Sequence, residues 1–357
     1  MSPRRGTCAR TAGHPMIPGR SPTHAGRRVS GRPSLRAEAR QLLAVAAWYR
    51  LGHRLRAQRR VDARIELPAL PSGPTRRGEI WAVAVVRDEA DVVASVIHHL
   101  LDQGIDHILV ADNRSMDGTR ELLTRMAVDD SRVHVAFDEE PAHMQGQKIT
   151  RLARAAWSAG ADWILPFDAD EFFFARGQTV GSFLRGHAAS VIYGEMHHLV
   201  PEVAGDLGAR SWVWFDCADA FPGKVAFRSH RWATVGQGNH SVVRAGERGL
   251  GLFIAHAQYR GPVQVARKAR QGAAAEAMAA AAVAMDTGDH WIAGSRLSDE
   301  QVQQAWDAMS HGRPAPLLKY HAHGPVLRLQ PFSWRTWDPG GEVARAKALQ
   351  PRASDGH

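Results

Sequence analysis

Cysteine is nearly absent from this chain: 2 thiols in 357 residues, Cys8 and Cys217. Two such distant thiols build neither a disulfide framework nor a zinc motif, and they fit a reducing compartment. No apolar run approaches the roughly 20 residues that cross a bilayer. Near the start, no basic segment leads into an apolar stretch with a small-residue cleavage site, so the expected location is cytoplasmic. No strand-like segment is followed by a G-x-G-x-x-G pattern, which counts against a dinucleotide site. Acidic residues are scarce at the front: positions 1–78 hold 17 Lys and Arg against 3 Asp and Glu, and the remainder 28 against 33. The formal net charge of +9 therefore belongs to the leader, and the charge of the body gives no reason to expect a nucleic-acid partner.

Three parts follow from composition. Residues 1–78 form a basic leader, expected to be disordered over 1–34. Within it, residues 35–61 interleave Leu42, Leu43, Val45, Trp48, Leu51 and Leu55 with arginines. That pattern suits an amphipathic helix on a membrane surface, or equally one packed on the body. Leu67 to Gly78 carries three prolines and two glycines and reads as a linker. Residues 79–260 form the main body. Residues 261–357 form a helical segment, with Ser298 and Gln301 at capping-box spacing, and a polar tail expected to be poorly ordered after Pro331.

Within the body, apolar strands alternate with helical patterns. Ile80–Val86 runs into Asp88-Glu89, and Ile105–Ala111 into Asp112-Asn113-Arg114-Ser115-Met116-Asp117-Gly118-Thr119. Val133–Phe137 runs into Asp138-Glu139-Glu140, read as solvated turn residues, and Trp163-Ile164-Leu165-Pro166-Phe167 runs into Asp168-Ala169-Asp170-Glu171. Such alternation predicts an α/β fold with a doubly wound, mostly parallel sheet, in which the strand tips converge on one crevice. An apolar strand has no internal use for carboxylates, so Asp168 and Asp170 either face a hard divalent ion such as Mg²⁺ or Mn²⁺ or form a solvated acidic turn. His98 and His99 read as surface or packing histidines.

The segments D-N-R-S-M-D-G-T and W-I-L-P-F-D-A-D-E-F, in this order and spacing, resemble those of the family-2-like GT-A glycosyltransferases over roughly Ile80 to Phe174, and more loosely to about Lys268. The resemblance implies a Rossmann-like GT-A fold and metal-dependent transfer of a sugar from a nucleotide diphosphosugar to an acceptor hydroxyl, inverting by single displacement. It implies a Mn²⁺ or Mg²⁺ site on Asp168 and Asp170, completed by His240 with His256 as second choice. Asp168 is alternatively a ribose contact. Asp88 or Glu89, and Asp112, would meet the base and ribose, with Asn113, Ser115 and Asp117 shaping the loop; Asn113 also counts among the nucleotide-sugar residues. Asp88 departs from the asparagine frequent in the family. Lys148 and Arg151 would approach the diphosphate.

For the general base the expected residues are Glu195 and Asp219, with Asp216 also in view. Trp212, Trp214, Phe215 and Phe221 are candidates for a sugar-stacking face, and Lys224, Arg228, Arg260 and Lys268 for anion binding. The acceptor would be a glycan, a lipid-linked sugar or a small molecule, as in polysaccharide biosynthesis, with peripheral membrane contact through the leader. Two readings compete: a nucleotidyltransferase acting on a sugar phosphate, which lacks here its usual Gly-rich phosphate loop, and a non-catalytic sugar-binding scaffold.

Overall fold

The computed structural model describes residues 35–49, 52–220, 223–283 and 295–349. The expectations for residues 1–34, Cys8, Phe221 and the last residues of the tail lie outside them.

Two helices come first, α1 (Leu35–Trp48) and α2 (Gly52–Asp62), followed by the short strand β1 (Ile65–Glu66). The leader pattern is thus two helices rather than one. Helix α1 docks through Gln41, fully buried, whose amide donates to Val243 O at 2.8 Å and accepts from Ala245 N at 2.7 Å. Leu35, Leu42 and Leu43 stay exposed on it.

The body begins with β2 (Ile80–Val86), α3 (Val93–Asp102), β3 (His107–Asp112), α4 (Thr119–Asp129), β4 (Val133–Asp138), α5 (Gln145–Ser158) and β5 (Trp163–Pro166). β4, β3, β2 and β5 are neighbours in that order and all parallel. β2 reads I-W-A-V-A-V-V because helices cover both sheet faces, which leaves no polar side for alternation. α3 turns Val93, Val96, Ile97 and Leu100 inward, and His99 Nε2 donates to Phe173 O at 2.7 Å, a packing role. Gly118 takes φ 94° at the start of α4, a left-handed turn that a side chain would resist.

Then come β6 (Glu171–Ala175), α6 (Val180–Gly186), β7 (Val191–Pro201), β8 (Val213–Asp216), β9 (Lys224–Arg228), β10 (Thr234–Val235), β11 (Val242–Val243) and β12 (Arg248–His256). β9 lies antiparallel between β5 and β7, β7 is parallel to β12, and β6 closes the far edge antiparallel to β12. The sheet is mixed but mostly parallel, so β2, β3, β5, β7 and β12 all end on one edge. Gly223 allows β9 to approach β7: a Cβ there would stand 1.8 Å from Gly194 O.

The C-terminal part contains α7 (Pro262–Val283), α8 (Asp299–Met309), β13 (Val326–Leu329) and α9 (Glu342–Leu349). The capping box at Ser298 and Gln301 forms. The expectation of a poorly ordered tail fails over residues 331–349, because this stretch has apolar residues to bury. Trp337 is 2% exposed and stacks on Phe253 at 4.8 Å, and β13 pairs with β8.

Candidate active site

The carboxylates that end β2 and β5 meet. Asp170 is buried, and its Oδ2 lies 3.3 Å from Arg260 Nη1 and in contact with Lys268 Nζ. Arg260 also reaches Asp91 at 2.8 Å and contacts Glu89, while Lys268 stands 3.2 Å from Glu89. Two further α7 residues grip the end of β2. Arg267 donates to Asp88 O at 2.8 Å and lies 3.6 Å from Asp117, and Gln271 donates to Asp88 Oδ2 at 2.7 Å. Burial pushes the Asp170 carboxyl up, but Lys268, His256 and Arg260 outweigh it and hold it well below the usual carboxylate range. Glu89 is raised instead, because burial outweighs Lys268 and Arg260.

Asp168 lies beside this knot. Its Oδ1 accepts from Gln145 at 2.7 Å and Asn239 at 3.1 Å, and its Oδ2 pairs with Lys224 at 2.6 Å. Lys224, the first residue of β9, also sits 3.0 Å from the fully buried Glu171. Burial drives Glu171 up to about 7, against the pull of Lys224.

At the β3 end, Asp112 is fully buried. One oxygen accepts from Arg120 Nε at 2.8 Å; among the described residues its Oδ1 has no hydrogen-bond partner, nor does the buried Asn239 Oδ1. An orphaned buried acceptor costs roughly 1–3 kcal/mol, which a ligand donor would recover. Asp88 holds φ 53°, a conformation that aspartate tolerates, and its Oδ1 accepts from Met116 N at 2.6 Å. Ser115 and Asp117 do shape the loop, by accepting from Asp88 N at 2.9 Å and Ala90 N at 3.2 Å.

Several expected residues lie elsewhere. Lys148 is buried against Asp138 at 2.7 Å and Glu140 O at 2.6 Å, because that acidic pair is itself buried rather than solvated and needs a cation. Asn113 serves the same cluster, donating to Asp138 Oδ2 at 2.8 Å. Glu195 points to the sheet face opposite His198, as alternation along β7 requires, and pairs with Lys347 at 3.0 Å and His197 at 3.8 Å. With Arg176, Phe253, Trp337, Val343 and Lys347 it lines a separate cavity of about 590 Å³. Asp219 is exposed and its Oδ1 accepts from Met196 N at 2.9 Å. Phe215 belongs to the core, Trp214 donates to Ser310 O at 2.8 Å, and Trp212 carries Arg328 over its ring. Arg228 pairs with Asp162.

His240 turns its Nδ1 to Gly223 O at 2.8 Å, whereas His256 brings Nε2 to 3.4 Å from Asp170 Oδ1. Two donors at that separation, one hard oxygen and one imidazole, fit a divalent ion between them, and His256 displaces His240 as the residue beside Asp170. Among the described residues no three His, Cys, Asp or Glu side chains gather as a ready metal cluster. Further ligands would have to come from outside the protein, as donor phosphates commonly provide.

Sequence reasoning missed His198, whose Nδ1 is 3.2 Å from that of His256, and the anchors Asp91, Gln145 and Gln271. The parallel pairing of β7 with β12 brings His198 opposite His256, and no local pattern announces it.

Residues 82–191 match the model of glycosyl transferase family 2. No curated protein matches the chain. Among solved structures, S. aureus TarS 1-349 is 11% identical, with 67% of this chain and 82% of that chain covered and a TM-score of 0.34. The mannosyltransferase PcManGT from Pyrobaculum calidifontis, in complex with GDP-Man and Mn²⁺, is 15% identical over 77% of this chain and 85% of that one, at 0.35. A third, described as a putative glucose-1-phosphate thymidylyltransferase from Bacillus anthracis, is 7% identical over 64% and 95%, at 0.27. The tips of β2, β3 and β5 all lie inside the matched segment, so the chain carries a glycosyl transferase family 2 domain over residues 82–191.

Proposed function

We propose that the chain transfers a sugar from a nucleotide diphosphosugar to an acceptor hydroxyl, with inversion and with help from Mn²⁺ or Mg²⁺. The observation that carries this is the knot of Asp170 with Arg260, Lys268 and His256, one edge that also holds Asp88 and Asp112. The orphaned Asp112 Oδ1, an acceptor that a base or ribose donor would satisfy, supports this reading. Asp170 and His256 would hold the ion, which when bound neutralises the negative charge growing on the departing diphosphate. Asp168, held by Gln145, Asn239 and Lys224, positions the loop that presents Asp170. Arg260 and Lys268 keep Asp170 ionised and add fixed positive charge where the diphosphate would lie.

Among the described residues no helix is long and apolar enough to cross a membrane. The exposed Leu35, Leu42 and Leu43 of α1, set among arginines, support a peripheral contact with anionic lipid.

A thermal-shift screen of UDP-, GDP- and TDP-sugars with and without Mn²⁺ tests the reading. One of them should stabilise the wild type, more so with metal, and leave Asp170→Asn unmoved. Equal stabilisation of both proteins would count against it.

A further inference from the structure

The donor-site reading leaves a buried carboxylate and a run of imidazoles unused on the same sheet edge. Leu199 of β7 faces Phe215 of β8, which sets Asp216 beside His198, and His198 in turn faces His256 on β12. Asp216 is 1% exposed. Its Oδ1 accepts from Ala218 N at 3.0 Å and Gly324 N at 3.1 Å, and its Oδ2 from His323 N at 2.6 Å. Three backbone donors thus fix the carboxylate, and its Oδ2 lies 3.4 Å from His323 Nδ1. The His323 side chain is 43% exposed. A fixed carboxylate facing one ring nitrogen favours the tautomer protonated there and leaves Nε2 free to take a proton.

We propose that His323, oriented by Asp216, is the general base that activates the acceptor hydroxyl; the proposal rests on the donor-site reading. The acceptor O–H bond breaks and its proton passes to His323 Nε2. The oxygen lone pair forms the bond to the anomeric carbon, and the bond from that carbon to the diphosphate oxygen breaks, its electron pair leaving with the nucleoside diphosphate. Besides Asp216, the groups facing His323 are His321, with ring centroids 5.2 Å apart, and His198, at 6.2 Å. Glu195 is on the other sheet face, bound to Lys347, which leaves the exposed Asp219 as the competitor.

Nucleoside diphosphate release from UDP-glucose, UDP-N-acetylglucosamine, GDP-mannose and TDP-glucose, with glycerol and methyl glucoside as acceptors, separates these. The full chain is compared with His323→Gln, Asp216→Asn and Asp219→Asn between about pH 5 and 9, and the histidine tautomers are read by ¹⁵N NMR. His323→Gln should lower kcat by about 100-fold or more, leave the donor KM unchanged and abolish the acid limb of the pH profile. Asp219→Asn should stay near wild type. Neutral His323 should carry its proton on Nδ1 in the wild type and lose that preference in Asp216→Asn.

A wild type that transfers sugar while His323→Gln keeps its rate and acid limb overturns the dyad and spares the donor reading. So does loss of activity in Asp219→Asn alone. A wild type inert toward every donor overturns the donor reading, and the NMR arm still judges the dyad. Should Asp216→Asn fail to fold, the exposed ring of His323 keeps His323→Gln a usable test.

Discussion

Arg260 touches Asp170 across 90 positions of sequence, Nη1 to Oδ2 at 3.3 Å, with its side chain 1% exposed. A buried charge pair is a weak net stabiliser, yet removing one member strands the other in a dry place. Asp170→Ala is therefore expected to destabilise the fold by about 3–5 kcal/mol in urea unfolding. Combining it with Lys268→Met should cost less than the sum of the two single changes. Additive effects would mean that the cluster is not coupled.

Metal binding should follow His256 and not His240. Calorimetry with Mn²⁺ and UDP is expected to show His256→Ala weakening Mn²⁺ binding by about 10-fold or more, with His240→Ala near wild type. The reverse order would return the ligand role to His240.

His99 sets an acid limit. Burial, only partly offset by the bond to Phe173 O, lowers its pKa to about 4 from 6.5. The unfolded chain thus binds the proton more readily, so the stability tied to neutral His99 is complete above pH 6.5 and is lost as pH falls towards 4. That loss is on the order of 3 kcal/mol. His99→Gln should flatten the fall of Tm across this window; an unchanged slope would remove His99 from the account.

Trp337 anchors the C-terminal segment in the main core, against Phe253, His197 and Phe215. Trp337→Ala should cost about 3–5 kcal/mol. A chain cut after residue 330 should lose at least as much, measured by the same denaturation. If both retain wild-type stability, the packing of this segment contributes nothing.

What was readable in the chain was local. β2 and β5 follow from uninterrupted apolar runs and β4 from one broken only by His134, and the carboxylates at their ends follow from the impossibility of leaving them unpaired in a core. Polar residues such as Lys148 and Glu195 read as available because sequence shows their charge and not their partners, Asp138 and Lys347. The segment after Pro331 looked polar, but three of its side chains, Phe332, Trp334 and Trp337, carry enough apolar area to fasten it. His256 over His240 was undecidable from spacing: His240 ends the turn Gln237–Asn239 and His256 an apolar strand, and only strand pairing brings His256 to Asp170.

The reversed strand β9 divides the sheet into two blocks that run the same way. One block holds the tips that would grip a nucleotide, the other the imidazoles and Asp216. The blocks are not independent, because His256 at the end of β12 reaches across to Asp170 at the end of the β5 loop. Lys224, rooted in the seam, clamps them a second time: it holds Asp168, which follows β5, and Glu171, which opens β6 at the far edge.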